Sequence, residues 1–401
     1  MKILILNAGS SSLKYQLIDM DGEKLLAKGL VERIGIEGSH INQKANGQIF
    51  DAVSPMANHT EGIQWMLKAL LDPEKGALKS MDEIGAVGHR VLHGGERFTA
   101  SVLVNEEVKE AIKANIPLGP LHNPANLMGI EACEKVMPGT PNVAVFDTAF
   151  HQTMPPKAYL YGVPMEYYEK LHVRRYGFHG TSHRYVSKRV CEFLGVDRAK
   201  TRVITCHLGN GSSMCAVENG KCIDTSMGIT PLEGVIMGTR SGSMDPAVVQ
   251  YICNNEHISV DEMLTICNKK SGLLGISGLS SDMRDIDKAA DEGNERAIIA
   301  RDMLVYGIRK YIGSYAAAMN GVDVIVFTAG IGENNCALRE RVMKGFEYLG
   351  AKLDPAKNAG CREEAVISTD DSKVKICVIP TDEEIVIARD TLCIVTGKPI
   401  E

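Results

Sequence analysis

Three glycine-rich segments of the chain concentrate basic side chains that could bind an anion. They are Gly88-His-Arg90-Val-Leu-His93-Gly-Gly, Arg174-Arg-Tyr-Gly-Phe-His179-Gly-Thr-Ser-His183-Arg184 and Gly238-Thr-Arg240-Ser-Gly-Ser-Met-Asp245-Pro. Arg90 and Arg240 stand among glycines, so backbone can approach and the planar guanidinium can hold a carboxylate or phosphate through two hydrogen bonds. For either arginine taken alone, a surface ion pair is the simpler interpretation.

Five histidines belong to such glycine-rich stretches: His89, His93, His179, His183 and His207. Together they favour a functional site more strongly than any one of them does. His179 and His183 have the i, i+4 spacing of a metal site, but the Gly-Thr-Ser between them also resembles a helix N-cap. Zinc and a simple helix start are both open interpretations of this pair.

Two acidic residues follow predicted strands, where they could bind Mg²⁺ through carboxylate oxygens. Asp147 ends the strand Val143–Phe146, and Glu383 follows the strand Lys375–Ile379. Mg²⁺ prefers such hard oxygen ligands. A solvated strand end or a helix N-cap is the alternative for each of them.

A strand-turn-strand phrase occurs twice, and the second copy begins half a chain length after the first. The copies are Ile3-Leu-Ile-Leu-Asn-Ala-Gly-Ser-Ser-Ser-Leu-Lys14 and Val203-Ile-Thr-Cys-His-Leu-Gly-Asn-Gly-Ser-Ser213. Each predicts a β-hairpin whose turn N–H groups and hydroxyls can hold a phosphate. The repeat indicates a duplicated domain with both turns facing a central cleft, unless glycine and serine merely punctuate two unrelated hairpins.

A third glycine-rich turn could bind a nucleotide. The strand Val324–Phe327 runs into Thr328-Ala-Gly-Ile-Gly-Glu-Asn-Asn335 and then a helix, which suits the phosphate or ribose of a nucleotide at the helix N-terminus. A tight turn without a ligand explains the segment equally well. The sequence has no P-loop motif, no complete Rossmann fingerprint and no protein-kinase signature.

Alternation of strand and helix patterns predicts an α/β protein of two domains. Strands at Ile3–Leu6, Lys14–Ile18 and Val143–Phe146 accompany helices at 62–71 and 106–115. A second set has strands at Val203–Cys206, Met214–Glu218 and Val324–Phe327, with helices at 295–319 and 335–349. The predicted domains are 1–150 and 151–384, and a helix over about 385–401 would complete the first.

Composition places the chain among ordinary globular proteins. Its 401 residues are 44% hydrophobic and 23% charged, with a net charge of −6, which argues against nucleic-acid and acidic-membrane binding. The apolar start is too short for a signal peptide, so we expect a cytoplasmic protein. The 11 cysteines include no Cys-x-x-Cys pair, and neither disulfides nor a zinc cluster is predicted.

Several motifs, taken in order, resemble those of the acetokinase family, within the acetate and sugar kinase, Hsp70 and actin superfamily. They cover nearly the whole chain: Asn7-Ala-Gly-Ser-Ser-Ser-Leu-Lys14, His122-Asn-Pro124, Phe146-Asp-Thr-Ala-Phe-His151, Arg175-Tyr-Gly-Phe-His-Gly-Thr-Ser-His183, His207-Leu-Gly-Asn-Gly-Ser-Ser213, Asp224-Thr-Ser-Met-Gly228, Phe327-Thr-Ala-Gly-Ile-Gly-Glu-Asn334 and Thr381-Asp-Glu-Glu384. The resemblance implies a duplicated ribonuclease H-like (actin-like ATPase) fold with an interdomain cleft. It also implies a homodimer that uses ATP and Mg²⁺, with Mn²⁺ as an alternative ion, to convert acetate to acetyl phosphate and ADP.

The resemblance also implies the site residues. Catalytic roles fall on Arg90, Asp147, His179, His207 and Arg240. Arg90, Leu92, Leu121, Phe178 and Pro231 would bind the carboxylate substrate. Asn7 and Glu383 would serve the metal, with Glu384 as the alternative to Glu383. The nucleotide would lie against Ser10, Ser12, Lys14, His207, Leu208, Gly209, Asn210, Gly211, Asp282, Met283, Arg284, Gly330, Ile331, Gly332, Glu333 and Asn334.

These residue types suit direct phosphoryl transfer. A carboxylate substrate, with a pKa of roughly 4 to 5, is already ionised at neutral pH and needs no strong base. Cations and hydrogen-bond donors would stabilise the loose, in-line transition state. The alternatives are a propionate or other short-chain acyl kinase, an ATP-driven chaperone or filament protein, and a nucleotide-binding regulatory module without turnover.

Overall fold

A computed structural model describes residues 1–120 and 122–400 of the chain. The described chain divides into two compact units. The first comprises 1–150 together with 382–401, and the second comprises 151–381. Each unit is built on its own mixed β-sheet.

The strands, in chain order, are β1 Lys2–Ala8, β2 Ser12–Asp19, β3 Lys24–Glu32, β4 His40–Ala45, β5 Gln48–Val53, β6 Ile84–Val91, β7 Val102–Leu103, β8 Asn142–Phe146, β9 Arg202–Leu208, β10 Ser212–Glu218, β11 Lys221–Thr225, β12 Val324–Thr328, β13 Ala365–Val366 and β14 Lys375–Val378. The α-helices are α1 His59–Leu70, α2 Glu106–Ala114, α3 Asn123–Val136, α4 Pro156–Tyr159, α5 Glu166–Leu171, α6 Gly180–Leu194, α7 Ala247–Glu256, α8 Val260–Lys269, α9 Gly272–Ser277, α10 Met283–Asp291, α11 Glu295–Ala318, α12 Ala329–Asn334, α13 Cys336–Met343, α14 Pro355–Asn358 and α15 Glu383–Thr396.

Six strands of the eight-stranded first sheet follow the same order as the six strands of the second. The first runs β5-β4-β3-β2-β1-β6-β8-β7 and the second runs β11-β10-β9-β12-β14-β13. In both, three antiparallel strands (β3-β2-β1 and β11-β10-β9) continue into two parallel neighbours (β6-β8 and β12-β14), and a short antiparallel strand closes the edge. This repetition confirms the predicted α/β class and the duplicated ribonuclease H-like core.

Helices cover both faces of the first sheet. Because β1 lies in the centre of the sheet, its residues from Ile3 to Leu6 are all buried, which explains the continuous apolar run. Leu4 and Leu6 belong to a core shared with α1 and α3. Ile5 and Gly88 occupy the opposite face, and a Cβ atom on Gly88 would lie within 2.6 Å of side-chain atoms of Ile387 and Thr391 in α15. Glycine at this position therefore lets α15 pack directly on the sheet.

The second sheet is covered in the same way. Ile204 and Phe327 point toward α11, with which they share a large hydrophobic core. Since strand residues alternate in direction, Thr205 and His207 point to the other face, where α6 provides His183 and Ser182 as hydrogen-bond partners. The alternation of β9 thus places His207, one of the catalytic candidates of this unit, on the face that α6 covers.

Two local predictions differ from the structure. The helix predicted over 335–349 ends at Met343, because Gly345 has a φ of +86° and a separate 3₁₀ turn follows at Glu347–Leu349. The Gly-Thr-Ser segment does not cap α6 with a side chain. His179 occupies the capping position in a left-handed conformation, with a φ of 57°.

Among the described residues, no helix combines the length and apolar character that a membrane span requires.

Candidate active site

The carboxyl ends of three parallel strands bring candidate residues of the first unit together. Asn7 lies near the end of β1, Arg90 near the end of β6, and Asp147 directly after β8. These strands are neighbours in the sheet, and the Asp147 N–H donates to the Val91 carbonyl oxygen (2.9 Å). Glu383, the first residue of α15, joins this group, with an oxygen 3.8 Å from Arg90 Nε.

Arg90 and Asp147 form a two-point ion pair. Arg90 Nε donates to Asp147 Oδ1 (3.1 Å), and Arg90 Nη2 donates to Asp147 Oδ2 (2.7 Å). Asp147 is fully buried, whereas the Arg90 side chain remains 27% exposed. The charge of Asp147 holds the pKa of Arg90 above its usual value. Arg90 therefore stays cationic and keeps one accessible side.

The surroundings of Glu383, next to this ion pair, disfavour the ionised form of its carboxyl group. Burial, together with the negative charges of Asp147 and Glu384, raises the pKa of Glu383 to about 7, against the opposing effect of Arg90. The positive charge of Arg90 alone does not fully offset the negative charges of the neighbouring carboxylates. An additional cation would relieve the repulsion.

Two asparagines of α3 fix the segment that carries Leu92. Asn126 Oδ1 accepts the Leu92 N–H (3.0 Å), and Asn126 Nδ2 donates to the Ala8 carbonyl oxygen (2.9 Å). Asn123 bonds both the N–H and the carbonyl group of His93 (3.1 Å each). Leu92 itself is buried. Leu121, the other predicted substrate contact in this region, lies outside the described residues.

The first glycine-serine turn joins β1 and β2. The Gly9 N–H donates to the Ser12 carbonyl oxygen (2.8 Å), and Ala8 pairs with Leu13. Ser10 and Lys14 are exposed, and Ser12 is partly buried. In the second turn, between β9 and β10, the Gly209 N–H donates to the Gly211 carbonyl oxygen and to Ser212 Oγ (3.2 Å each).

His179 and His207 stack against each other in the second unit. Their ring centroids are 4.1 Å apart and the ring planes differ by 22°. His179 Nδ1 lies 2.8 Å from Ser213 Oγ, and His207 Nδ1 lies 2.8 Å from Ser182 Oγ. Each imidazole is therefore held by a serine at Nδ1.

His183 belongs to the same network. Its Nε2 atom lies 2.7 Å from Ser213 Oγ and its Nδ1 atom lies 2.6 Å from Thr205 Oγ1. Burial lowers the pKa of His183 well below its usual value. His179 Nδ1 and His183 Nε2 thus contact the same hydroxyl group, Ser213 Oγ.

Arg240 is a partly buried cation without an ion-pair partner among the described residues. Its Nη1 atom donates to the Pro231 carbonyl oxygen (3.1 Å). Burial lowers the pKa of Arg240. A Cβ atom on Gly211 would lie 3.3 Å from Arg240 Nη1 and 3.6 Å from His179 Nε2, so both groups border the same glycine. An anion bound here would offset the buried charge.

The loop that presents Pro231 is clamped by charged and phenolic groups. Arg175 donates to the carbonyl oxygens of Ser226 and Met227 (3.0 Å each) and pairs with Glu233 (2.6 Å). The Tyr161 hydroxyl donates to Glu233 (2.6 Å) and accepts the Ile229 N–H (3.1 Å). The clamp fixes Pro231 and, through its carbonyl group, Arg240.

A pocket of about 940 Å³ opens beside the second hairpin turn. Eight of the predicted nucleotide contacts line it: Gly209, Asn210, Asp282, Met283, Arg284, Gly330, Ile331 and Asn334. Asp282 Oδ1 accepts the Arg284 N–H (2.9 Å) at the start of α10. The pocket is therefore lined by two glycine-rich turns and by the charged residues at the start of α10.

Other predicted nucleotide residues do not line this pocket. Leu208 and Gly332 are buried. The Glu333 carboxylate accepts the N–H groups of Ala329 (2.7 Å) and Thr381 (3.1 Å), so it braces the turn. Arg339, fully buried, donates to the carbonyl oxygens of Gly332 and Glu333 (2.8 Å each) from the other side.

Sequence analysis missed the residues that hold the catalytic candidates in place. They are Asn123, Asn126, Arg175, Ser182, Ser213, Glu233 and Arg339. Most lie within quoted motifs or next to them, yet nothing in the spacing connects Ser213 to His179 or Glu233 to Arg175. Phe178 is buried and its carbonyl oxygen accepts a hydrogen bond from His151 Nε2 (3.0 Å).

Comparison with known proteins agrees with the motifs. The sequence model of the acetokinase family matches residues 2–389. An acetate kinase of Helicobacter hepaticus is 58% identical over 397 residues, covering 99% of each chain. The crystal structure of Porphyromonas gingivalis acetate kinase superimposes with a TM-score of 0.95 at 51% identity, covering 98% of this chain and 99% of that chain. A propionate kinase from Francisella tularensis gives 0.91 at 43% identity, with the same coverage. The resemblance is confirmed, and this chain belongs to the acetokinase family.

Proposed function

We propose that this chain catalyses the reversible transfer of the γ-phosphoryl group of ATP to acetate, giving acetyl phosphate and ADP. The observation that carries the proposal is Arg240, a partly buried cation with no ion pair among the described residues, beside His179 and the Gly211 turn. A bound anion would stabilise this partly buried guanidinium, and the phosphoryl group that is transferred carries the required negative charge. Family membership narrows the reaction to that of a kinase.

Arg90 holds the carboxylate of acetate in this proposal. Its exposed side offers donors, while Asp147 fixes its orientation through two hydrogen bonds. The resemblance assigns the binding of the substrate to Leu92, Leu121, Phe178 and Pro231 in addition to Arg90, and the proposal keeps that assignment. Because acetate is ionised at neutral pH, Asp147 orients groups and abstracts no proton.

The phosphoryl group is stabilised during its transfer by Arg240, His179 and His207. Charge in a loose transition state is spread over three equatorial oxygens, so several fixed donors serve better than one. Each of the stacked imidazoles is held by a serine at Nδ1, which fixes the orientation of both rings. Transfer is direct, with no phosphoenzyme.

Mg²⁺ fits the acidic group of the first unit. The donors are Glu383, Asp147 and Asn7, with Glu384 as the alternative to Glu383. Burial, and after it the neighbouring carboxylates, raise the pKa of Glu383, and a divalent ion would neutralise the negative charge of this group. We propose that Asn7 and Glu383 hold the ion. When bound, it would neutralise phosphate charge, and Mn²⁺ offers the same oxygen preference.

ATP would bind the pocket of about 940 Å³ in the second unit. The eight predicted contacts that line it would hold the nucleoside and inner phosphates, and His207 to Gly211 would border the outer phosphates. We propose that the first glycine-serine turn also contacts the phosphates, through Ser10, Ser12 and Lys14.

A homodimer is also part of the proposal. Exposed apolar residues recur on three helices of the second unit: Val248 and Tyr251 on α7, Val260 and Leu264 on α8, and Ile299, Met303 and Tyr306 on α11. Clusters of exposed apolar residues are typical of subunit interfaces, and we propose that these helices contribute to one. We further propose a cytoplasmic location, with no nucleic acid and no membrane among the partners.

The direct test is formation of acetyl hydroxamate from ATP, Mg²⁺ and acetate in the presence of hydroxylamine. We expect product that depends on all three components and on intact Arg240. ATP binding without hydroxamate would instead indicate a regulatory module, and ATP hydrolysis without hydroxamate would indicate a chaperone-like ATPase.

Propionate is the competing substrate, since one structural relative is a propionate kinase. The comparison is kcat/KM for acetate, propionate and butyrate. We expect acetate to be preferred by a factor of about 10 or more, because one methylene group discriminates by about 1 to 3 kcal/mol. A higher value for propionate would reassign the chain to the alternative.

A further inference from the structure

A cysteine-cysteine-histidine cluster lies in the core of the second unit. Its members are His151, Cys215 in β10 and Cys222 in β11, all fully buried. His151 Nδ1 lies 3.1 Å from Cys222 Sγ and 4.0 Å from Cys215 Sγ, and the two sulfur atoms are 3.5 Å apart. Sequence spacing gave no sign of the cluster, because its three positions come from three separate segments.

These separations match those between ligands of one thiophilic ion. Zn²⁺ binds imidazole nitrogen at about 2.0 Å and thiolate sulfur at about 2.3 Å in a tetrahedral arrangement, which places neighbouring ligands about 3.5 to 3.8 Å apart. The observed triangle differs from this by a few tenths of an ångström. Small side-chain rotations would bring all three atoms onto one ion.

The imidazole has the tautomer that a metal ligand requires. His151 Nε2 lies 3.0 Å from the Phe178 carbonyl oxygen, which can only accept a hydrogen bond, so Nε2 carries the proton. Nδ1 then presents its lone pair to the two thiols. A second ring nitrogen anchored on a carbonyl group is the usual support of a metal-bound histidine.

The two thiols and the imidazole form one hydrogen-bonded chain. The Cys215 thiol donates to Cys222 Sγ (3.5 Å), and Cys222 Sγ lies 3.1 Å from His151 Nδ1. The pKa of Cys215 is raised well above its usual value, first by burial. Binding of a divalent ion would release two thiol protons to solvent and leave a neutral complex, which suits a buried site.

We propose that His151, Cys215 and Cys222 form a binding site for one thiophilic divalent ion of the Zn²⁺ and Cd²⁺ class, and that its occupation lowers turnover through the Phe178–His179 segment. Two contacts connect the cluster to that segment. Besides the bond to Phe178, the His151 ring lies 5.6 Å from the ring of His183, which shares Ser213 with His179.

Packing leaves the segment little freedom to absorb a shift of His151. Gly177 has a φ of +76°, and a Cβ atom there would lie 2.3 Å from the Thr225 methyl carbon and 2.8 Å from the His151 ring. The backbone just before Phe178 is thus pressed against His151 itself. The effect on turnover rests on the proposed function, whereas ion binding does not.

The test titrates the reduced full-length protein with Cd²⁺ and follows the ultraviolet sulfur-to-cadmium charge-transfer band, with kcat measured in parallel. We expect one tightly bound ion per chain and a fall in kcat of about tenfold. The double variant Cys215→Ser/Cys222→Ser should lose the band and resist inhibition. Cys206→Ser, a buried cysteine of the neighbouring strand β9, should behave like the wild type.

X-ray absorption of the Cd²⁺-loaded wild type keeps the proposal falsifiable if the double variant fails to fold. A shell of two sulfur atoms and one nitrogen atom supports the site, and a shell of oxygen and nitrogen alone overturns it. Equal binding by wild type and a folded double variant also overturns it. Binding with unchanged kcat would refute the connection to His179. Absence of acetyl phosphate in a reaction with ATP, Mg²⁺ and acetate but no Cd²⁺ would refute the proposed function independently.

Discussion

The imidazole rings of His179 and His207 lie face to face, with centroids 4.1 Å apart, although the residues come from a helix start and from a strand end. Each ring is fixed by one serine, Ser213 for His179 and Ser182 for His207. The stack gives the second unit two aligned ring edges. In the proposed reaction these edges meet the phosphoryl group.

Replacing Ser213 should therefore weaken catalysis without preventing folding. Ser213→Ala removes the hydroxyl that joins His179 to His183, and one such hydrogen bond is worth about 1 to 1.5 kcal/mol, or about tenfold in kcat. The KM for ATP should change less than kcat. Ser187→Ala is the control, because Ser187 is a buried serine of α6 whose hydroxyl donates to a main-chain carbonyl group, that of Arg184. Equal kinetics of the two variants would contradict the role of Ser213.

Arg240→Lys should lower kcat by about a hundredfold or more. A lysine is a point charge and cannot keep the bond to the Pro231 carbonyl oxygen while offering a planar pair of donors to phosphate. Arg202→Lys serves as the control, because Arg202 is paired with Asp323 at the start of β9, at the opposite end of the strand from His207. Steady-state kinetics decide the matter, and unchanged turnover in Arg240→Lys would remove this residue from the mechanism.

Glu233→Gln should loosen the loop that carries Pro231. The substitution weakens the bonds from Arg175 and Tyr161, so both Pro231 and Arg240 lose their fixed positions. We expect KM for acetate to rise and kcat to fall, each by up to about tenfold, while KM for ATP stays near the wild-type value. Tyr161→Phe, which loses only one of these bonds, should have a smaller effect. Wild-type constants in Glu233→Gln would show that the clamp is not needed.

Acid should destabilise the first unit through its buried histidines. Burial lowers the pKa of His89 to about 4, against an opposing hydrogen bond with Asn142, whereas an unfolded histidine titrates near pH 6.5. The unfolded state therefore binds more protons below pH 6.5, and stability is lost between about pH 6.5 and pH 4. The contribution of His89 approaches about 3 kcal/mol at the acid end of this range.

Fluorescence of Trp65, the single tryptophan, reports this unfolding, because Trp65 packs on the core of the same unit. Urea titrations at several pH values should give a shallower loss of stability for His89→Gln than for the wild type. His257→Gln, at an exposed position, is the control. Parallel curves for His89→Gln and the wild type would refute the assignment.

Strand positions were predictable from the sequence because their physical causes are local. The apolar runs of β1, β9 and β12 and the residues that follow them are visible as patterns, which is why Asp147 was placed at a strand end correctly. The repeat of the glycine-serine turns likewise pointed to the duplicated sheet. Motif resemblance then supplied Arg90, Arg240 and the stacked histidines.

Long-range pairing was not predictable in this way. The bonds of Arg175 to Glu233 and of Ser182 to His207 depend on how distant segments pack, and no periodicity encodes them. The cluster of His151, Cys215 and Cys222 was missed for the same reason. The break in the helix predicted over 335–349 came from a single glycine with positive φ, whose effect a helical pattern does not show.

Direct transfer of the phosphoryl group is the central claim, and rapid-quench kinetics with [γ-³²P]ATP, Mg²⁺ and acetate test it most directly. The account predicts that label passes from ATP to acetyl phosphate in the first turnover without appearing on the protein. A phosphorylated aspartate or glutamate that forms and decays fast enough to lie on the pathway would contradict it.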